Sequence, residues 1–197
     1  MGSATATGKR LESEDRRQQL LLFGRDYFAD SPLDGAPMGE IARLAGVSKG
    51  LLYHYFGNRR GFYLATVRDA VDGLIGAIED AIATGTDDEL RAMITAFAAY
   101  CQSNAGIYRA VIRGGHAADD EVSRETNRVR DFILERVTQL TGIDRPTELQ
   151  RLSLIGWLAF AEAAAGEWVQ GSTVSEAAFV DLLIESLNAQ LKGHGAI

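Results

Sequence analysis

The side chains with the most chemical potential for their spacing lie in one short run, Ser48-Lys49-Gly50-Leu51-Leu52-Tyr53-His54-Tyr55, with Arg59 just beyond it. This run supplies a hydroxyl, an ammonium, two phenols and an imidazole, with a guanidinium close behind. Such groups donate hydrogen bonds and carry positive charge, which suits phosphate oxygens and base edges. A helix from about Lys49 to Tyr55 fits the major groove of DNA. There Lys49 and Arg59 would supply charge, Gly50 would let the backbone come close, and Tyr53, His54 and Tyr55 would reach phosphates or bases. The competing reading is a small helical hairpin in which Tyr53 and Phe56 are core.

Catalytic chemistry finds less to work with. The three histidines are His54, His116 and His194, Cys101 is the single cysteine, and no glycine-rich phosphate loop follows a strand pattern. His116 with Asp119 and Asp120 comes nearest to a site, and a loop of that kind is more often simply solvated. Cys101 has no partner for an internal disulfide, and no Cys/His set has zinc spacing. No catalytic residue, metal ligand or cofactor site is assigned. A small all-helical enzyme, or a small-molecule binding protein without a DNA role, stands as the alternative class.

The elements that position the run can be read from periodicity and turn chemistry. Residues 40–45 form a short helix with one apolar face; Gly46 stops it, Val47 plugs the space beneath, and Ser48 caps the next helix. Upstream, Leu20, Leu21, Phe23, Gly24, Tyr27 and Phe28 give a helix from about Ser13 to Ala29 that covers this pair from behind. Residues 30–35 are turn formers. Downstream, helices are predicted over about 58–82, 88–104, 106–114, 120–140, 147–169 and 174–191, with no strand pattern.

The segment Ile41-Ala42-x-x-Ala45-Gly46-Val47-Ser48-Lys49-Gly50-x-Leu52-Tyr53-x-Tyr55-Phe56-x-Asn58-Arg59 resembles, nearly position for position, the DNA-binding domain of TetR-family transcriptional regulators. The resemblance implies an all-α fold of about nine helices. Residues 11–57 would be the helix-turn-helix DNA-binding domain and residues 58–197 the ligand-binding and dimerisation domain, with the helix after Asn58 linking the two. Many relatives carry Thr or Ser where this chain has Pro37 and Met38, which removes one expected phosphate contact. The resemblance further implies a regulator, with repression as the expected sign. It would bind a palindromic double-stranded DNA operator as a homodimer and be released by a small, mostly apolar inducer.

The inducer pocket implied by the resemblance lies inside the body. Phe97, Tyr100, Cys101, Tyr108, Phe132, Trp157 and Trp168 are candidates for its wall, and core packing is the alternative for each. Arg109, His116 and Glu162 are polar groups on otherwise apolar stretches and need a partner, either a ligand or a neighbour. The helix from 147 is apolar around most of its circumference, with Gly156, Ala159, Ala163 and Gly166 on one side. This suits close pairing of the last two helices with their copies as a four-helix bundle.

The totals are compatible with this reading. In 197 residues, 46% are hydrophobic and 3 are proline, which suits a packed helical protein. The net charge of −7 divides unevenly. Residues 1–63 hold 9 basic and 7 acidic side chains, and residues 64–197 hold 11 and 20. A weakly basic head on an acidic body suits a molecule that touches phosphates at one end. No apolar run reaches the roughly 20 residues of a membrane span. No signal peptide or myristoylation motif is read at the start, so a cytoplasmic setting is expected. Residues 1–10 are small and polar and are expected to form a disordered arm.

Overall fold

The computed structural model describes residues 3–29, 35–114, 120–143 and 145–192, with the side chains of 3–12 and 112–114 excepted. The described residues form helices throughout: α1 (Ser3–Tyr27), α2 (Met38–Leu44), α3 (Lys49–Phe56), α4 (Arg59–Ala83), α5 (Glu89–Ser103), α6 (Ala105–Gly114), α7 (Asp120–Leu140), α8 (Glu148–Trp168) and α9 (Glu176–Lys192). α1 begins at Ser3, so the chain is helical from there instead of forming the unstructured arm expected over residues 1–10. Ala4 and Ala6 are strong helix formers that can extend the helix upstream of Ser13.

Local chemistry sets the turns around α3. Gly46 takes φ +68°, a left-handed conformation that closes α2 without a Cβ penalty. The Ser48 hydroxyl accepts from the Leu51 N–H at 3.1 Å and caps α3. The Asn58 side chain accepts from the Gly61 N–H at 2.8 Å and starts α4. A Cβ at Gly61 would strike the Phe56 carbonyl oxygen, so α4 leaves α3 at this angle only with glycine there. Pro37 is the N-cap residue of α2 and offers no side-chain bond.

Two apolar cores are strung along α4. The head core joins Leu20, Leu21, Phe28, Ile41, Leu52, Phe56, Phe62 and Val67, and continues along α4 as far as Val71. Ile107 of α6 and Val122 of α7 complete it. The body core begins at Leu74 and Ile78 and takes in Met93, Phe97, Cys101, Trp157, Leu183 and Leu187. Each fully buried Phe or Leu contributes roughly 1.5–3 kcal/mol. α4 therefore cannot tilt without disturbing both cores.

Polar contacts fix the register of α4 as well. α7 runs parallel to it, with ion pairs Arg60–Glu121 at 3.0 Å, Arg68–Glu125 at 2.7 Å and Asp72–Arg128 at 2.6 Å. These pairs are largely exposed and each adds little stability, but together they oppose sliding. At the far end the Trp157 indole donates to the Leu183 carbonyl at 3.0 Å, and Trp168 stacks on Phe179 at 4.4 Å, holding α8 to α9. The opposite face of α8 leaves Leu152, Ile155, Ala159, Phe160 and Ala163 exposed, beside Leu182 of α9.

Candidate nucleic-acid interface and ligand cavity

α3 divides into a buried and an exposed face. Leu52 and Phe56 are buried, and they seat the helix on the head core. Lys49, Gly50, Tyr53 and His54 are exposed, and Leu51 is half-buried. The Lys49 ammonium lies 5.6 Å from the Tyr53 ring, so the two form one cationic and aromatic patch. Nothing stands within 4 Å of a Cβ built on Gly50, so a partner's backbone can approach closely there. The exposed donors of this face suit a polyanion.

Three of the proposed DNA residues also have structural duties. The Ser48 hydroxyl is occupied in capping α3. The Tyr55 hydroxyl donates to the Ser13 carbonyl at 3.1 Å and lies 2.9 Å from the Ser13 hydroxyl, tying α3 to α1. The Arg59 guanidinium sits 5.5 Å from the Phe28 ring and is half-buried. Periodicity within α3 gives no sign of the Ser13 and Phe28 partners, because both lie far upstream.

The second site is a small cavity of ≈ 60 Å³ between α4, α5, α6, α7 and α8, partly open to solvent. Val67, Ala70, Val71 and Leu74 of α4 form one wall, and Ile107, Val111 and Val129 face them. Tyr100, Asn104, Tyr108, Thr126 and Glu162 complete the lining. Each polar member has a partner within the protein. The Tyr100 hydroxyl donates to Ala70 O at 2.8 Å, Tyr108 to Glu162 O at 3.2 Å, and Thr126 to Val122 O at 3.2 Å. Both Glu162 carboxylate oxygens accept from Arg130, at 2.7 and 2.8 Å. That hydrogen bonding raises Arg130 above its usual pKa, so its guanidinium stays charged. Burial raises the Tyr100 and Tyr108 phenols, which stay neutral.

The sequence-derived candidates for the pocket separate on this geometry. Tyr100, Tyr108 and Glu162 line the cavity. Phe97 and Trp157 instead bound a smaller void with Met93, Ile133 and Leu183, since the Trp157 indole is anchored to α9. Cys101 is fully buried in the body core against Tyr108, and burial pushes its thiol well above the ordinary range. Phe132 lies under the Arg136 guanidinium at 5.4 Å, and Trp168 belongs to the α8–α9 stack. Arg109 bonds the Ala105 carbonyl at 3.2 Å, one turn back on its own helix. His116 lies outside the described residues. Sequence reading did not single out the α4 wall or Asn104. A polar residue at the α5–α6 break was a usable signal for Asn104, whereas the α4 valines look like any core stripe. Among the described residues no group of three His, Cys, Asp or Glu is placed to hold a metal, and no helix is long and apolar enough to cross a membrane.

Comparisons with known proteins agree with this two-part layout. Residues 21–66 match the family described as bacterial regulatory proteins, tetR family, and residues 86–190 match the tetracyclin repressor-like C-terminal domain. The HTH-type transcriptional activator FasR of Mycolicibacterium smegmatis is 31% identical over 166 residues, 82% of this chain and 76% of that protein. The HTH-type transcriptional regulator RutR of Escherichia coli O157:H7 is 24% identical, over 94% of this chain and 93% of its own. A tetR-family transcriptional regulator from Streptomyces coelicolor superposes with TM-score 0.77 at 24% identity, covering 91% of this chain and 82% of that one. With both segments of the fold matched, the chain belongs to the TetR family of transcriptional regulators and is not an enzyme.

Proposed function

We propose that this regulator binds a palindromic operator as a homodimer and is a repressor released when a small, mostly apolar molecule fills the cavity. The observation that carries this reading is the double use of α4. Its first turn is fixed to the end of α3, and its residues 67–74 wall the cavity. A ligand that fits better when α4 is tilted shifts the heads away from the DNA-competent arrangement by its differential affinity for the two states. The exposed apolar stripe of α8 and α9 supports dimerisation, since pairing with a copy buries Ile155, Ala159 and Leu182. Such a dimer presents two recognition helices roughly 34–36 Å apart. The test is a mobility shift of the protein's own upstream DNA at low salt. A folded, dimeric protein that fails to shift that fragment overturns the DNA reading.

A specific observation favours a second reading of the sign. The relative FasR is named an activator, which favours a regulator that raises transcription. A reporter driven by the shifted fragment, with and without the regulator's gene, decides between the two. Higher output on deletion means repression, and lower output means activation.

A further inference from the structure

The apolar cavity shares a wall with a second, polar cleft. The cleft, of ≈ 180 Å³ and partly open to solvent, lies between α1 and the α5–α6 break, and Asn104 and Ile107 line both spaces. Its other members include Arg25 and Asp26 of α1 and Ser103. The cavity is walled mostly by apolar side chains and its polar ones already have partners within the protein, so a polar group buried there would regain little of what it loses in water. The part of a ligand that enters the cavity is therefore hydrocarbon.

Two guanidinium groups stand just behind the lining, and they are held differently. Arg130 spends two N–H groups on the two carboxylate oxygens of Glu162. Arg25 gives its Nε and one terminal nitrogen to Asp69, at 3.0 and 2.6 Å, while its other terminal nitrogen donates to the neutral Asn104 amide oxygen at 2.7 Å. Its guanidinium also lies 6.0 Å from the ring of Tyr100, a cavity wall. An anion in place of the Asn104 oxygen would exchange a hydrogen bond to a neutral acceptor for one assisted by charge on both sides. Asp26 on the same cleft disfavours an anion elsewhere in it, which leaves the Arg25 side as the place for one.

We propose that the ligand is an anionic amphiphile, with a hydrocarbon chain in the cavity and a carboxylate or phosphate head that displaces the Asn104 side chain and binds Arg25. This rests on reading the cavity as the ligand site. It makes Arg25 a specificity-determining residue. It also gives occupancy a second route to the DNA-binding surface, because α1 carries both Arg25 and Ser13, the residue that holds Tyr55 of α3.

The test compares sodium decanoate with decanol by calorimetry on the full chain. Decanoate is expected to bind about tenfold more tightly, the difference between a charged and a neutral hydrogen-bond acceptor. Asn104→Asp places a permanent anion on Arg25 and should weaken decanoate about tenfold more than it weakens decanol. Asn104→Ala removes the competing acceptor and should tighten decanoate, which keeps the proposal testable if the aspartate variant fails to fold. Equal affinities for acid and alcohol, or equal loss of both in Asn104→Asp, overturn the anionic head and leave the cavity reading intact. Binding of neither compound overturns the cavity reading and the proposal with it.

Discussion

The exposed face of α3 and the lining of the cavity handle polar groups in opposite ways. On α3 the ammonium of Lys49, the imidazole of His54 and the Tyr53 ring stand in solvent. In the cavity the hydroxyls of Tyr100, Tyr108 and Thr126 and the carboxylate of Glu162 are already bonded to the protein. A surface that keeps its donors available suits a partner rich in acceptors, and a lining that has satisfied its own suits hydrocarbon. The same chain thus carries two surfaces of opposite chemistry, with α4 between them.

This contrast can be broken most strongly from beneath α3. Leu52→Ala removes a fully buried side chain and is expected to cost about 2–5 kcal/mol in urea unfolding. Its exposed neighbour Tyr53→Phe should leave stability within about 0.5 kcal/mol and still weaken operator binding. Equal losses from both would mean that α3 has no exposed functional face.

Alkaline pH probes the buried side of the comparison. Burial raises the Cys101 thiol and the Tyr108 phenol, so the unfolded chain releases those protons first. Stability should be full below the ordinary thiol range near about pH 8.5 and fall by up to about 1.4 kcal/mol per pH unit above it, with the phenol adding a like slope only above about pH 10. Chemical denaturation at stepped pH reads this directly, and a flat profile from neutral to strongly alkaline pH would show that these groups are not held neutral.

Glu162→Gln sharpens the polar end of the cavity. It leaves the Arg130 guanidinium without its carboxylate partner. The two side chains are 22% and 16% exposed, so the expected loss is about 1–2 kcal/mol, below that of a fully buried pair. No change in the melting transition would mean that water compensates Arg130. The smallest stability effect is expected at Lys49→Ala, within about 0.5 kcal/mol, while the salt slope of log K for DNA falls by about one. An unaltered slope would place Lys49 away from phosphate.

Legibility followed sequence distance. The helices were readable because each carries its own signal: Gly46 and Ser48 around α3, Asn58 before α4, and the apolar stripe of α7, which runs over Asp120–Leu140 as its periodicity predicts. The exposed polar face of α3 was readable for the same reason, its residues being contiguous. The cavity was not, because apolar residues look alike whether they face a neighbour or a void. Phe97, Cys101 and Trp157 were as plausible as Tyr100 and Tyr108 until packing separated them. The partners that restrain Tyr55 and Arg59, namely Ser13 and Phe28, depend on how α1 crosses α3 and α4, and no local pattern encodes that crossing.

The head core has one more consequence, for anyone who would exchange sensors and DNA readers within this family. Ile107 and Val122 belong to body helices yet fill the space beneath the head, together with Val67 and Val71 of α4. A chimera joined just after Asn58 would place a foreign body against this interior and leave it mismatched in volume. A junction beyond Val71, with Ile107 and Val122 carried over from the donor of the head, would keep the interior whole. The transplantable unit is thus not a contiguous stretch of chain, and functional chimeras should tolerate a cut after Val71 better than one at the α3–α4 turn.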